Sequence, residues 1–452
     1  VTTDQPSPDE FSTLADLIGD EREFARRATD TDPRVRRRRR LRRSIIALVV
    51  ILLLVGVPSG YTAWALTAPL APPVATVQQP PPVLTAPDAL AMPAEGASAI
   101  SVSGGDVYLG PTASGIWTTS GSDEPRPIAS ITKLITALVV LDAKPLATAD
   151  DAGPIITFDK AANDLYDKYY LMGATIAAMP TGTRMSQRDA LAMMIIPSAS
   201  NYAEAVSTWA YGSQSSFLRA ARAWLAANGL TGTTIVEPTG ISPENTSTPT
   251  DLIALGRLAA SHPVIAKLAS TSSLAIEGVG AFGNTNSLLG SSGVTGLKTG
   301  NLGEGAFTLL YSATIDVGAD QPLGVIGVVL GGASRQSVDH DVVALLDSIR
   351  AGFHDVTVAT RGQQIGTFTT PWGGSARMVL AKDASVFTWS DTPITMNVQT
   401  VTPKRYAQDE EIGSITWTAG PNSTTVPIVI EGTIAPPTDW WRLTHPSELG
   451  AG

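Results

Sequence analysis

The chain has 452 residues, enough for two globular domains with additional segments, and 43% of them are hydrophobic, ample for a core. It contains no cysteine, which excludes disulfides, thiolate metal sites and a cysteine nucleophile. Its four histidines, His262, His340, His354 and His445, show no metal-ligand spacing, so no metal and no cofactor is expected. The formal charge of −10 is unevenly placed: residues 1–43 carry 11 arginines and 9 acidic residues, leaving 20 basic and 32 acidic residues beyond them, a net of −12. Such a surface argues against nucleic acid or another anionic polymer as partner.

Residues 1–43 mix both signs of charge without a sustained apolar period through residue 33, and are expected to be a largely disordered cytoplasmic tail. Eight arginines lie between Arg34 and Arg43. Residues 44–66 are uncharged and strongly apolar through Val57, and at about 1.5 Å per residue they reach the thickness of a bilayer core. One membrane crossing is therefore predicted over 44–66. The arginines on its N-terminal side hold that side in the cytoplasm and leave everything after Leu66 outside. Ala63-Trp-Ala65 also reads as a signal-peptidase site, but the preceding segment is long for a signal peptide, and an uncleaved anchor is the favoured reading. Residues 67–90 are rich in Pro and Ala, with Pro80-Pro-Pro82 in the middle, and read as an extended spacer.

The main domain is placed at 91–353. Short β-branched runs at 99–107 and 115–119 read as a hairpin. They lead into Arg126-Pro-Ile-Ala-Ser-Ile-Thr-Lys-Leu-Ile-Thr-Ala-Leu-Val-Val140, predicted as a buried helix. Ser130 and Lys133 are three positions apart in it and share one face. A lysine buried at the start of such a helix loses hydration, its ammonium form is disfavoured, and the neutral amine can take a proton from a serine hydroxyl. Taken alone, the same four residues also fit a helix-capping serine and a lysine reaching to solvent.

A marked helix start follows at Ser186, with Ser-Gln-Arg-Asp189 before the apolar run 190–196. Pro197 then precedes Ser198-Ala-Ser-Asn201 and a helix to about Tyr211. Further helices are predicted at 215–228, ending at Gly229, and at 250–260. Lys298-Thr-Gly300 leads into strands at 306–315 and 323–330. A last helix, about 335–352, puts Val338, Val342, Leu345, Leu346 and Ile349 on one face. Strands, a helical middle, then strands and a helix define an α+β domain whose terminal pieces share one sheet. Beyond it, alternating runs divided by turn residues read as a small all-β domain over 354–433, and 434–452 as a C-terminal tail.

Ser130-Ile-Thr-Lys133, Ser198-Ala-Ser-Asn201 and Lys298-Thr-Gly300 occur in order, and together they are far more specific than any one of them. S-x-x-K with K-T-G is an established signature of penicillin-binding proteins and class A β-lactamases. At these residues the chain resembles the serine D-alanyl-D-alanine carboxypeptidases, the low-molecular-mass penicillin-binding proteins of the S11 peptidase type. Glu237-Pro-Thr-Gly240, Asn284-Thr-Asn-Ser-Leu-Leu289 and Pro180-Thr-Gly182 look like connecting segments of the same family. The resemblance implies a DD-peptidase/serine β-lactamase-like fold, an antiparallel sheet flanked by helices, followed by the small β domain. It also implies a peptidoglycan stem peptide as substrate and β-lactams as inhibitors.

Carried over residue by residue, the resemblance makes Ser130 the nucleophile, Lys133 its base and Ser198 a proton relay. Lys298 and Thr299 would bind the substrate carboxylate, Gly300 would leave the strand edge bare, and the backbone N–H groups of Ser130 and Asn301 would hold the oxyanion. A second lysine at 298 would further depress the Lys133 pKa. The middle motif departs from the family's Ser-x-Asn: Ser200 stands at the asparagine position and Asn201 one place later. Either Asn201 supplies the amide through a local shift, or Ser200 sits there and catalysis is attenuated; the register without insertion favours Ser200. The leading expectation is a membrane-anchored carboxypeptidase. The competing ones are a peptidoglycan-binding scaffold with a decayed middle motif, and a β-lactamase using Glu237 as deacylation base.

Overall fold

The computed structural model describes residues 33–105, 108, 116–318 and 321–450. The expected N-terminal disordered tail through residue 32, the end of the first expected strand at 106–107 and its turn at 109–115 lie outside the described residues.

Helix α1 (Pro33–Thr67) is continuous through Pro58. Its large apolar side chains between Ile45 and Val57 are 45% to 68% exposed, and the helix is long and apolar enough to cross a membrane. Its C-terminal end is covered. Ala65 and Ala68 form a small buried cluster with Leu449, and Tyr61 donates to the Leu443 carbonyl at 2.7 Å. Arg442 Nη1 donates to the carbonyls of Ala65 and Ala68, putting a cation where the helix leaves its last acceptors unpaired. The spacer is not wholly free chain either. Within it β1 (Val74–Val77) pairs antiparallel with a strand of the distal domain, Val74 opposite Thr369 and Val77 opposite Gly366.

The main domain opens with β2 (Ala97–Ser103) and β3 (Ile116–Ser120). Its helical middle comprises α2 (Thr132–Ala143), α3 (Lys160–Leu171), α4 (Gln187–Ile195), α5 (Ser200–Tyr211), α6 (Gln214–Ala227), α7 (Pro249–Ser261) and α8 (Pro263–Ala269). Several of the N-termini are set by capping side chains. Ser186 accepts from Asp189 N–H, Ser213 from Ser216 N–H, and Thr248 from Asp251 N–H with Pro249 following it. The chain then returns through β4 (Val294–Asn301), β5 (Phe307–Ile315), β6 (Leu323–Gly332) and α9 (Arg335–Ala351).

The five strands form one antiparallel sheet in the order β4-β5-β6-β2-β3, so the two ends of the domain share it. On one face Leu297, Leu310, Val328 and Leu330 pack with Leu134, Met193, Tyr202 and Leu252 from the helices. On the other, Ile100, Leu309 and Val329 meet the Val338, Val342, Leu345, Leu346 and Ile349 stripe of α9. Burying an apolar side chain of this size contributes about 1.5–3 kcal/mol, so the two clusters dominate the stability of the domain.

Seven strands follow: β7 (Phe353–Ala359), β8 (Gln364–Thr369), β9 (Ser375–Leu380), β10 (Ala384–Trp389), β11 (Ile394–Thr400), β12 (Glu411–Ala419) and β13 (Asn422–Glu431). A six-stranded sheet runs β1-β8-β9-β13-β12-β11, with β7 and β10 as a separate pair. Trp417, Ile415, Ile428 and Ile430 are central to its core. The C-terminal segment carries one short helix, α10 (Asp439–Thr444).

Candidate active site

Ser130 lies in a single 3₁₀ turn (Ala129–Ile131), and the α-helix begins only at Thr132. The sequence placed Ser130 in the first α-helical turn. The difference arises because Arg126 and Pro127 pair as extended chain with Thr246 and Ser247, and Ala129 then turns back with φ of 50°. Two glycines clamp this turn. A Cβ on Gly240 would fall 1.8 Å from the Ala129 carbonyl oxygen, and one on Gly300 would fall 2.7 Å from Ala129 Cβ and 2.3 Å from Thr308 Oγ1. The tight backbone approach therefore demands glycine at both positions.

Lys133 follows one turn later and is fully buried. Its Nζ lies 2.9 Å from Ser130 Oγ and donates to the Thr239 carbonyl at 2.7 Å. Burial pushes the amine down to about 7, while the Glu237 carboxylate pulls in the opposite direction. A lysine in this state is half neutral near pH 7 and stands within proton-transfer distance of the serine.

Lys298, on β4, is also buried, with Thr299 O at 3.2 Å and Thr285 Oγ1 at 3.5 Å. Its pKa is pushed well below the usual lysine range by burial first, then by the charges of Lys133 and Arg335. Burial is the first cause at both lysines, and Lys133 and Lys298 stand close enough for their charges to repel. Thr285 and Thr299 hydroxyls touch at 2.6 Å.

A cavity of 520 Å³ opens over Ser130. Ser198, Ser200, Thr299, Gly300 and Asn301 line it together with Ser130, and segments 172–175 and 239–241 close its sides. Residues of the three motifs, from 130 to 301, thus meet at one hollow. Ser198 adopts φ of 67°, a left-handed conformation that is rare for a serine and recurs at functional sites.

Asn201 does not reach the cavity. Its side chain is fully buried and pairs with the backbone of Ala177, donating to the carbonyl at 2.8 Å and accepting from the N–H at 3.2 Å. Of the two alternatives that the sequence left open at the middle motif, Ser200 lines the cavity and the Asn201 amide is engaged away from it. As the second residue of α5 Asn201 is turned away from Ser130, and its amide satisfies a loop instead.

Arg335 was not foreseen. The first residue of α9, it lines the cavity, its guanidinium lies 5.8 Å from the Phe307 ring centroid, and its buried Nη1 meets no hydrogen-bond partner among the described residues. A cation at a helix N-terminus opposes the helix dipole, and that local mismatch just after the N-cap Ser334 was the available signal.

The family described as D-alanyl-D-alanine carboxypeptidase, peptidase S11, matches residues 104–334, just over half of the chain. The D-alanyl-D-alanine endopeptidase of Pseudomonas aeruginosa is 31% identical over 198 residues, 42% of this chain and 60% of that protein. The D-alanyl-D-alanine carboxypeptidase DacD of Escherichia coli is 28% identical over 268 residues, 58% of this chain and 66% of that one. The chain thus spans somewhat under two thirds of these relatives. Among solved structures, penicillin binding protein 6B from Escherichia coli superposes with a TM-score of 0.50 at 22% identity, covering 80% of this chain and 100% of that one. A peptidoglycan synthesis regulatory factor, PBP3, from Streptococcus pneumoniae also gives 0.50, at 18% identity over 76% of this chain and 100% of its own.

Proposed function

We infer the chemistry of this site from the family to which the chain belongs, the S11 peptidases or D-alanyl-D-alanine carboxypeptidases. The proposed reaction is removal of the terminal D-alanine from peptidoglycan stem peptides through an acyl-enzyme. The observation that carries it is the 2.9 Å approach of Lys133 Nζ to Ser130 Oγ.

The neutral Lys133 amine takes the Ser130 proton as Oγ attacks the carbonyl of the penultimate D-alanine. The oxyanion is held by the backbone N–H groups of Ser130 and Asn301. The intermediate collapses by breaking the C–N bond. The leaving D-alanine nitrogen receives its proton from the Lys133 ammonium, relayed through Ser198, and water then cleaves the ester. The C-terminal carboxylate lies at the cationic end, met by Arg335, with Lys298 buried behind the wall and the Thr299 hydroxyl beside it. Ser200, lacking an amide, contributes a hydroxyl to the substrate backbone. β-Lactams acylate Ser130 by the same attack, and their amide nitrogen stays tethered to the acyl group.

A second reading, cleavage of peptide cross-links, draws support from the 31% identity to an endopeptidase. There too a carboxylate stands next to the leaving nitrogen, so the cationic end serves either substrate. A β-lactamase is disfavoured, because both oxygens of Glu237 are engaged by surrounding donors. The apolar α1 would anchor the protein in the membrane, with its arginine-rich start in the cytoplasm and the cavity outside.

Release of free D-alanine from a diacylated peptide ending in D-Ala-D-Ala tests the reading. Release by the full-length protein that disappears in Ser130→Ala supports it. Cleavage only of cross-linked dimers selects the endopeptidase, and no cleavage together with no penicillin labelling selects a scaffold.

A further inference from the structure

The segment 237–245 wraps around one carboxylate. Glu237 Oε2 accepts from the Thr239 N–H and hydroxyl, both at 2.7 Å. Its Oε1 accepts from Gly240 N–H at 2.6 Å, Ser242 N–H at 3.3 Å and Asn245 Nδ2 at 2.9 Å. Five donors converge on one side chain, and a carboxylate, which only accepts, is the group that fits.

The wrapped segment is fastened along the face of the helix that carries the base. Asn245 Nδ2 reaches Thr132 Oγ1 at 3.1 Å, Thr136 Oγ1 donates to the Pro238 carbonyl at 2.8 Å, and between them Lys133 donates to the Thr239 carbonyl at 2.7 Å. The Asn245 carbonyl accepts from Ile128 N–H at 2.9 Å, tying the same segment to the chain just before Ser130.

We propose that Glu237 is a positioning residue for acylation: its carboxylate folds the 237–245 loop so that the Thr239 carbonyl fixes Lys133 against Ser130, and its charge supports the ammonium formed when Lys133 takes the Ser130 proton. The proposal rests on the acylation reading above. Lys298 on β4 is the other charged group acting with Lys133, with Arg335 on α9 beside Lys298; next to Glu237 stands Tyr169 on α3, whose hydroxyl donates to the Glu204 carboxylate on α5, itself paired with Lys168. Glu204 is engaged by Tyr169 and Lys168, and Tyr169 is held neutral, its pKa raised by burial, so Glu237 is the carboxylate that acts on Lys133. A neutral amine needs no counter-charge; the protonated intermediate does, and a fixed anion there lowers the barrier of the step that creates it.

The test is the rate of acylation by a fluorescent penicillin against pH, for the full-length protein, Glu237→Gln and Glu237→Asp. Glu237→Gln is expected to lower the plateau rate at least tenfold and to move the midpoint of the profile to lower pH. Glu237→Asp keeps the charge but cannot reach all five donors, so its rate should fall about fivefold with the midpoint unchanged. A Glu237→Gln protein with the parent's rate and midpoint overturns the proposal. Should Glu237→Gln fail to fold, Glu237→Asp decides, and parental acylation by it overturns the proposal equally. Absence of labelling in the parent itself would instead overturn the acylation reading.

Discussion

Asn201 is bound to Ala177 by two hydrogen bonds between side-chain amide and backbone, so the amide of the middle motif is spent on holding the loop that borders the cavity. Ser200, one residue earlier, faces the nucleophile's hollow. Asn201→Ala should therefore act on stability, lowering it by about 1–3 kcal/mol as the Ala177 groups lose their partner, read as a shift of the urea midpoint. A variant of parental stability that acylates tenfold more slowly would return the amide to the catalytic site.

Ser200→Asn places an amide at the cavity wall. Where a positioned donor in a dry site is worth about 2–4 kcal/mol, even partial use should raise the acylation rate about tenfold. An unchanged or lower rate would mean that Ser200 does not face the reacting carbonyl.

The protonation state of Lys133 sets the pH dependence. Its pKa is held down to about 7, and under the proposed mechanism the reactive form is the neutral amine. Acylation should climb tenfold per pH unit below the midpoint and level off above it. The sign is opposite to that of a carboxylic general acid, and a rate that falls between pH 6 and 8 would exclude Lys133 as the base.

Arg335 lines the cavity, and its charge acts on the buried Lys298 behind the wall, so Arg335 is the cation offered to the substrate carboxylate under the proposed reading. Arg335→Ala should raise KM for a peptide with a free C-terminus while leaving its amidated counterpart nearly unaffected. Equal losses on both peptides would place Arg335 in the structure of the α9 start instead.

What could be read from the sequence was local. Ser130 and Lys133 are one helical turn apart, the α9 stripe is written in its 3.6 period, and each strand of the distal domain alternates along its own length. Contacts that depend on distant chain segments left no such pattern. The Arg442 bonds to Ala65 and Ala68 join residues 377 and 374 positions apart, and β1 is too short for its alternation to announce a partner at 364–369. At the site, the three motifs named residues that meet at the cavity, yet Glu237 and Arg335 lie outside them. The choice between Ser200 and Asn201 turned on one residue's step around a helix, about 100°, which motif spacing leaves open; only the register without insertion pointed towards Ser200.

Ser130 is the proposed nucleophile, and intact-mass and peptide-level mass spectrometry after incubation with benzylpenicillin tests that role most directly. The expected result is one adduct of the full mass of the drug, carried by the peptide containing Ser130 and absent from a folded Ser130→Ala variant. An adduct on another residue, an adduct that persists in Ser130→Ala, or a parent protein that forms none would contradict it.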